Sequence, residues 1–229
     1  MRRGFLLVVV CLTLAGCGGG GGGGSSTPPT QTGATIRQIQ PGNQIVYTVT
    51  GTFQPRGGTP GPISGTMTAT LYSDTAASQH GGRRLKEVSD LNITGAAQAT
   101  GSLTGYLEQT SDGTQYDYGI AGAQLTSSVG LPVSRKSPVV VGNSWTYTAH
   151  YSDGSSDDNS YAVMSLEAVG SRMAYKIHST TTLSDGTQSA EDDWFVPDWG
   201  CDVKATIVQY SPSLDGVLRF TATLQSKNF

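Results

Sequence analysis

The side chains with which this chain could do chemistry are few and scattered. Two acidic clusters stand out. Asp153, Ser155, Asp157, Asp158 and Asn159 lie close together in sequence and offer the oxygen donors that a hard cation takes. A calcium loop of the EF-hand type needs Gly at its sixth position and a carboxylate at its twelfth. Counted from Asp153, those positions hold Asp158 and Met164, so the pattern fails and a solvated polar hairpin is expected. Glu191, Asp192 and Asp193 form the second cluster. In a strand, alternation separates Glu191 and Asp193 from Asp192. A carboxylate pair is the apparatus of glycoside hydrolysis, but nothing in the sequence singles one out.

The remaining candidates are weaker. His80 lies in a Gly-rich stretch, and His150 and His178 fall on the polar sides of strand-like runs. They approach each other only if those strands are close. Three scattered histidines make neither a metal site nor a triad. Cys201 is a lone thiol, expected buried and inert. There is no G-x-S-x-G elbow, and the glycine run 18–24 has no flanking strand and helix to make it a phosphate loop. Arg83, Arg84 and Lys86 read as a solvated basic loop, with an anionic headgroup contact as the alternative. Trp145 and Trp194 read as core, whereas Trp199 sits in an expected turn where exposure would mark a contact surface. No catalytic residue, metal ligand or cofactor is assigned, and the chain is expected not to be an enzyme.

The N-terminus carries the most specific signal. Arg2 and Arg3 precede an apolar run from Phe5 to Leu14, the n- and h-regions of a secretory signal. A membrane-spanning helix needs about 20 apolar residues, and this run is roughly half that. Leu14-Ala15-Gly16-Cys17 follows and resembles the lipobox of bacterial lipoproteins. The resemblance implies removal of residues 1–16 and acylation of Cys17. Burial is worth about 0.8 kcal/mol per methylene, and two or more chains hold firmly where one does not. The glycines 18–24 and Ser25-Ser26-Thr27-Pro28-Pro29 lack side chains to bury and are expected to act as a tether. A linker of this kind spans about 5–6 Å times the square root of its length, on the order of 25 Å here. Gly18 stands where Asp often marks inner-membrane retention, so the outer membrane is expected for a Gram-negative source.

Removing residues 1–16 from the 229 leaves 213, with 12 basic residues (14 less Arg2 and Arg3) against 17 acidic. The resulting charge near −5 provides no basic stripe for nucleic acid, which is set aside as a partner. Only Cys17 and Cys201 then remain, so no internal disulfide framework is expected.

Positioning falls to strands. Ile45, Tyr47, Val49 and Phe53 alternate with mostly threonine. Ile63, Met67, Ala69 and Leu71 repeat the scheme, as do Trp145 to Tyr151 and Leu218 to Leu224. Period-2 alternation with one polar face predicts antiparallel sheet. Asp-Gly at 112–113, 153–154, 185–186 and 215–216 supplies hairpin turns. The expected fold is all-β: antiparallel meander sheets or a half-barrel. Two tandem related halves are one arrangement, since Gly42-Asn43 recurs as Gly142-Asn143 and Ser111 to Gln115 recurs as Ser184 to Gln188. The corresponding division is 17–35 lipidated Cys and tether, 36–130 first half, 131–141 connector and 142–229 second half. Gly142-Asn143-Ser144-Trp145-Thr146-Tyr147 and Trp194-Phe195-Val196-Pro197 resemble the β-domains of bacterial lipoproteins with a curved sheet, loosely the lipoprotein-carrier half-barrel of LolA/LolB type. That resemblance implies a concave sheet covered by its own core or by a ligand. The functional expectation is a membrane-anchored envelope protein with a non-enzymatic binding or structural role. Its partner would be an envelope protein or an apolar ligand. The alternatives are a lipid carrier and a hydrolase of an envelope polymer. An open apolar pocket would favour the carrier, and facing carboxylates around Glu191 to Asp193 would favour the hydrolase.

Overall fold

A computed structural model describes residues 33–211 and 215–229. Cys17, the signal segment and the glycine tether lie outside the described residues. Thirteen strands run in order: β1 (Gln44–Pro55), β2 (Gly61–Ser73), β3 (Arg83–Gly95), β4 (Ala99–Gln109), β5 (Gln115–Ile120), β6 (Ala123–Val129), β7 (Val133–Arg135), β8 (Ser144–Tyr151), β9 (Ser156–Val169), β10 (Arg172–Leu183), β11 (Gln188–Val196), β12 (Cys201–Ser211) and β13 (Gly216–Lys227). No helix occurs among the described residues.

The antiparallel meander expected from the alternation is present, and it goes further than a half-barrel. β13 pairs with β1, and β4 with β5, so twelve strands close into a barrel with β7 as an extra. Closure removes the unpaired edges that an open sheet presents. β7 and β6 divide one edge of β5: β7 pairs at Gln115 and Tyr116, and β6 at Gly119 and Ile120.

Alternation decides what faces inward. Ile45, Tyr47 and Val49 of β1 meet Met67, Ala69 and Leu71 of β2, Leu85 and Ile93 of β3, and Ala205, Ile207, Leu218 and Ala222 of β12 and β13 in one apolar core. A smaller core joins Val163, Ile177 and Phe195 to Ile36 and Val139. Ile36 and Ile39 belong to the segment ahead of β1, which lies across one end of the barrel. Ala34 pairs there with Val139, Arg37 N donates to the Pro197 carbonyl, and Ile39 N donates to Gln109. The other end holds the β8–β9 and β10–β11 turns.

The repeated motifs are repeated turns. Gly42 and Gly142 adopt φ of 88° and 92°, a region that glycine enters without Cβ strain. In both turns the Asn carbonyl takes the N–H of a residue on the next strand but one of the hairpin, Leu71 or Val163. The Asp-Gly-Thr turns also match, with Thr110 N bonding Thr114 O and Leu183 N bonding Thr187 O. They join β4 to β5 and β10 to β11, which are not corresponding places in the two runs of strands.

The seam between β1 and β13 is packed closely. Gly51 lies opposite Phe220, and a Cβ at Gly51 would stand 2.7 Å from that of Phe220 and collide with the Arg219 carbonyl. Gly51→Val is therefore expected to cost about 2–3 kcal/mol in urea unfolding. Thr50→Val on the outer face should stay within about 0.5 kcal/mol.

Candidate functional site

β7 carries a charge into the barrel. All three of its residues are buried, and its pairing with β5 sets Arg135 opposite Gln115. Arg135 is 3 % exposed. Its Nη2 lies 2.6 Å from Asp193 Oδ2 and 3.2 Å from Asp202 Oδ2, while Nη1 donates to the Ser134 carbonyl at 3.1 Å. The guanidinium sits 5.6 Å from the Phe195 ring centroid. Asp193 reaches this point by alternation along β11. Asp202 reaches it through a bulge: Trp194 pairs with Lys204 but Phe195 with Asp202, leaving Val203 extra. A bulge re-aims side chains in this way, so Lys204 stays on the outer face over Trp194. The Tyr47 hydroxyl, buried in the apolar core, donates to the Asp202 carbonyl at 3.0 Å.

One guanidinium faces three carboxyls. Glu191, next inward-facing residue on β11, is hydrogen-bonded to Asp193. Burial and then the Asp193 charge push the Glu191 carboxyl well above the usual carboxylate range. Burial, and again Asp193, push Asp202 up despite its contact with Arg135. Burial works against the Arg135 charge, but Asp202 and Asp193 override it and raise the guanidinium's pKa. Uncompensated charge in such a place is costly, and a neutral Glu191 and Asp202 leave one ion pair rather than a net anion. Glu87, on the inner face of β3, is pushed by burial to about 7.

Above this cluster, toward the turn end, lies a cavity of about 220 Å³. Arg135, Ser134 and Glu191 reach it from the cluster side. Its walls carry Asp117 of β5, Tyr151 of β8, Asp157, Asn159 and Tyr161 of β9, Ser179 and Thr181 of β10 and Ser189 of β11. Asp153 and Asp185 stand in the turns at its mouth. The wall groups are held by one another. Tyr151 Oη and Asn159 Nδ2 donate to the two oxygens of Asp157 at 2.8 and 2.7 Å, Thr181 Oγ1 donates to Asn159 Oδ1 at 2.8 Å, and Gly119 N donates to Asp117 at 2.8 Å. Burial raises Asp117 to about 6, the Gly119 bond notwithstanding, and raises Asp157 against the bonds from Tyr151 and Asn159.

The alternation expected along 191–193 is what the strand adopts. Glu191 and Asp193 face inward, and Asp192 faces outward with His178 at 2.8 Å and Lys176 at 3.0 Å. The solvated hairpin expected over 153–159 requires correction, because β9 begins at Ser156 and directs Asp157 and Asn159 into the cavity while Asp158 points out to Thr148. The basic group at 83–86 is strand β3 rather than a loop. Arg84 pairs with Asp74 at 3.1 Å and lies 3.7 Å from the Tyr118 centroid, and Arg83 donates to the Ile39 carbonyl. His150 and His178 are kept apart by β9, and His80 stacks on Tyr116 at 3.8 Å. Cys201 is buried, and burial raises its thiol further. Trp199 is half-buried, packed against Leu224 and between Arg172 and Lys227.

Another carboxylate shows the opposite electrostatics. Glu108 accepts bonds from Ser78 Oγ, Gln79 N, His80 N, Gly82 N and Tyr118 Oη, all at 2.7–2.9 Å. Desolvation would raise it, but these donors win and lower it to about 2. It fixes the loop over residues 74–82 to the barrel wall.

These values set the pH dependence of stability. Glu87 rises from 4.5 to about 7 on folding, so its contribution is complete below about pH 4.5 and is lost as pH rises through about 7. Glu108 falls from 4.5 to about 2, so its contribution holds above about pH 4.5 and is lost toward pH 2. Thermal unfolding should therefore show a higher Tm near pH 5 than near pH 8, and Glu87→Gln should flatten that decline. Arg135→Met should cost about 3–5 kcal/mol at pH 8, the penalty of stranding buried carboxylates, and distinctly less at pH 5.

No protein-family model and no curated protein matches the sequence. Among solved structures, an inferred exported protein with a YmcC-like fold from Bacteroides fragilis is similar over 86 % of this chain and 100 % of its own. That similarity has 14 % identity and a TM-score of 0.41. An inferred lipoprotein from Parabacteroides distasonis is similar over 85 % of this chain and 99 % of its own, with 12 % identity and a TM-score of 0.38. Both likenesses are too distant to transfer a role.

Proposed function

We propose that the chain is a lipid-anchored protein of the bacterial cell envelope that binds a small polar ligand in its barrel cavity without transforming it. The observation that carries the binding reading is the cavity itself, set in a closed barrel and walled by polar groups already held by one another. Pockets built on rigid elements suit recognition because their groups need no reordering on binding. Carboxyls, hydroxyls and an amide converge on a lining that also includes Ile120, Ala123 and Leu183, which supports a ligand bearing polar groups rather than the wholly apolar cargo of a lipid carrier.

Anchoring rests on Leu14-Ala15-Gly16-Cys17 and the glycine run after it. The described chain begins at Gly33, beside Val139 and Pro138 at the end closed by Ile36 and Ile39. The cavity opens among the turns at the other end. A tether attached at Cys17 would thus present the mouth away from the bilayer, and outer-membrane placement belongs to the same proposal.

A hydrolase is the second reading, and one observation favours it: a raised carboxyl, Glu191, lines the cavity as a general acid would. Against it, Glu191 and Asp193 are in hydrogen-bond contact. The carboxyls of retaining glycosidases stand about 5–5.5 Å apart and those of inverting enzymes further.

Anchoring is tested by palmitate labelling and fractionation: Cys17→Ser should abolish label and release the protein from membranes, and retained label would refute the lipobox reading. Binding is tested by a thermal-shift series of small polar solutes of differing charge. At least one should raise Tm saturably, be recovered intact after long incubation, and lose its effect in Ser189→Phe, which fills the cavity. No shift with any solute would overturn the binding reading, and recovery of cleaved solute would replace it with the hydrolase.

A further inference from the structure

The charge around the cavity is one-sided. Asp117, Asp153, Asp157 and Asp185 line it, with the neutral Glu191 beside them, against the single cation Arg135, and Arg135 is already engaged by Asp193 and Asp202. Low-dielectric walls of one sign focus the field into a cleft and concentrate counter-charge there. The acceptors on the wall have a direction as well. Asp157 and Asn159 present acceptor oxygens in fixed positions, each held by a neighbour. Arg135 is itself 3 % exposed and so sits at the floor as a compensated charge rather than a receptor for anions.

Resting on the binding role proposed above, we infer that the cavity takes a compact organic cation, an ammonium or guanidinium compound, held by Asp117 and Asp157. Size fits a compact ligand. The cavity's volume of about 220 Å³ lies below the ~300 Å³ at which pockets for drug-sized molecules begin. The N–H donors of such a cation match a wall rich in acceptors, and Tyr151 and Tyr161 add aromatic surface of the kind that cations favour. An organic cation fits better than a metal ion because the carboxylates are distributed round the wall. Among the described residues no three His, Cys, Asp or Glu side chains gather closely enough to ligate one. Asp153 and Asp185 at the mouth would attract the cation from solution before the deeper groups bind it.

Calorimetric titration of the full-length protein in detergent micelles with agmatine and with spermidine tests this. One-site saturable binding of at least one of them is expected, weakened about ten-fold or more by Asp117→Asn and by Asp157→Asn, the loss of a charge-assisted bond. Asp192→Asn on the outer face should leave it unchanged. Asp153→Asn/Asp185→Asn, which alters only exposed turns, should slow association and make it less salt-dependent, and this variant keeps the test decisive if the buried changes impair folding. Absence of binding at millimolar concentration, or binding indifferent to both cavity variants, would overturn the inference. So would cavity-dependent binding of calcium or of the neutral polyol mannitol in place of the two cations. The mannitol result would refute the cation while leaving the binding role intact.

Discussion

A single buried guanidinium sets the terms for the interior of this barrel. Arg135 is held 2.6 Å from Asp193 and 3.2 Å from Asp202 where water scarcely reaches. Bringing one cation and several carboxyls out of water is costly unless they compensate one another. The compensation is incomplete by charge count, so burial keeps protons on Glu191 and Asp202. Everything near this point follows from that constraint. β7 must tuck in beside β5 to deliver Arg135, β12 must bulge to turn Asp202 inward, and the adjoining wall must remain polar.

The barrel is consequently two-sided. β1 to β4, with β12 and β13, enclose a packed apolar core in which Glu87 is the misplaced charge. β5 and β8 to β11 enclose the charge cluster and the cavity. The first side gives rigidity through close packing, including the seam where Gly51 admits Phe220. The second side gives up some of that packing to hold hydrogen-bonding groups in place. Proteins commonly carry such local costs where they act, and closure of the sheet is what lets the polar side persist without an exposed edge.

The strands were legible in the sequence because alternation is local. Ile45, Tyr47 and Val49 face inward and Thr48 and Thr50 outward, as the pattern requires. The separation of Asp192 from Glu191 and Asp193 was legible for the same reason. Closure was not, since the pairing of β1 with β13 joins residues nearly the whole chain apart. Arg135 was hidden in a Pro-rich stretch read as connector, because a three-residue strand carries too little alternation to register. Asp202 was hidden by the bulge at Val203, which reverses the face that simple counting assigns. Asp157 was hidden by its Asp- and Ser-rich surroundings, which read as turn although only Ser152 to Ser155 lie outside the strands. In each case the missing information was which distant strand lay opposite.

Carboxyl carbon chemical shifts, followed by NMR through a pH titration of the ¹³C-labelled protein, read the protonation of this interior directly. The Glu191 and Asp202 carboxyls should titrate well above the ordinary glutamate and aspartate range, and Glu87 near 7. Finding Glu191 and Asp202 ionised by pH 5 would contradict this, because the interior would then hold several charges that Arg135 alone does not balance.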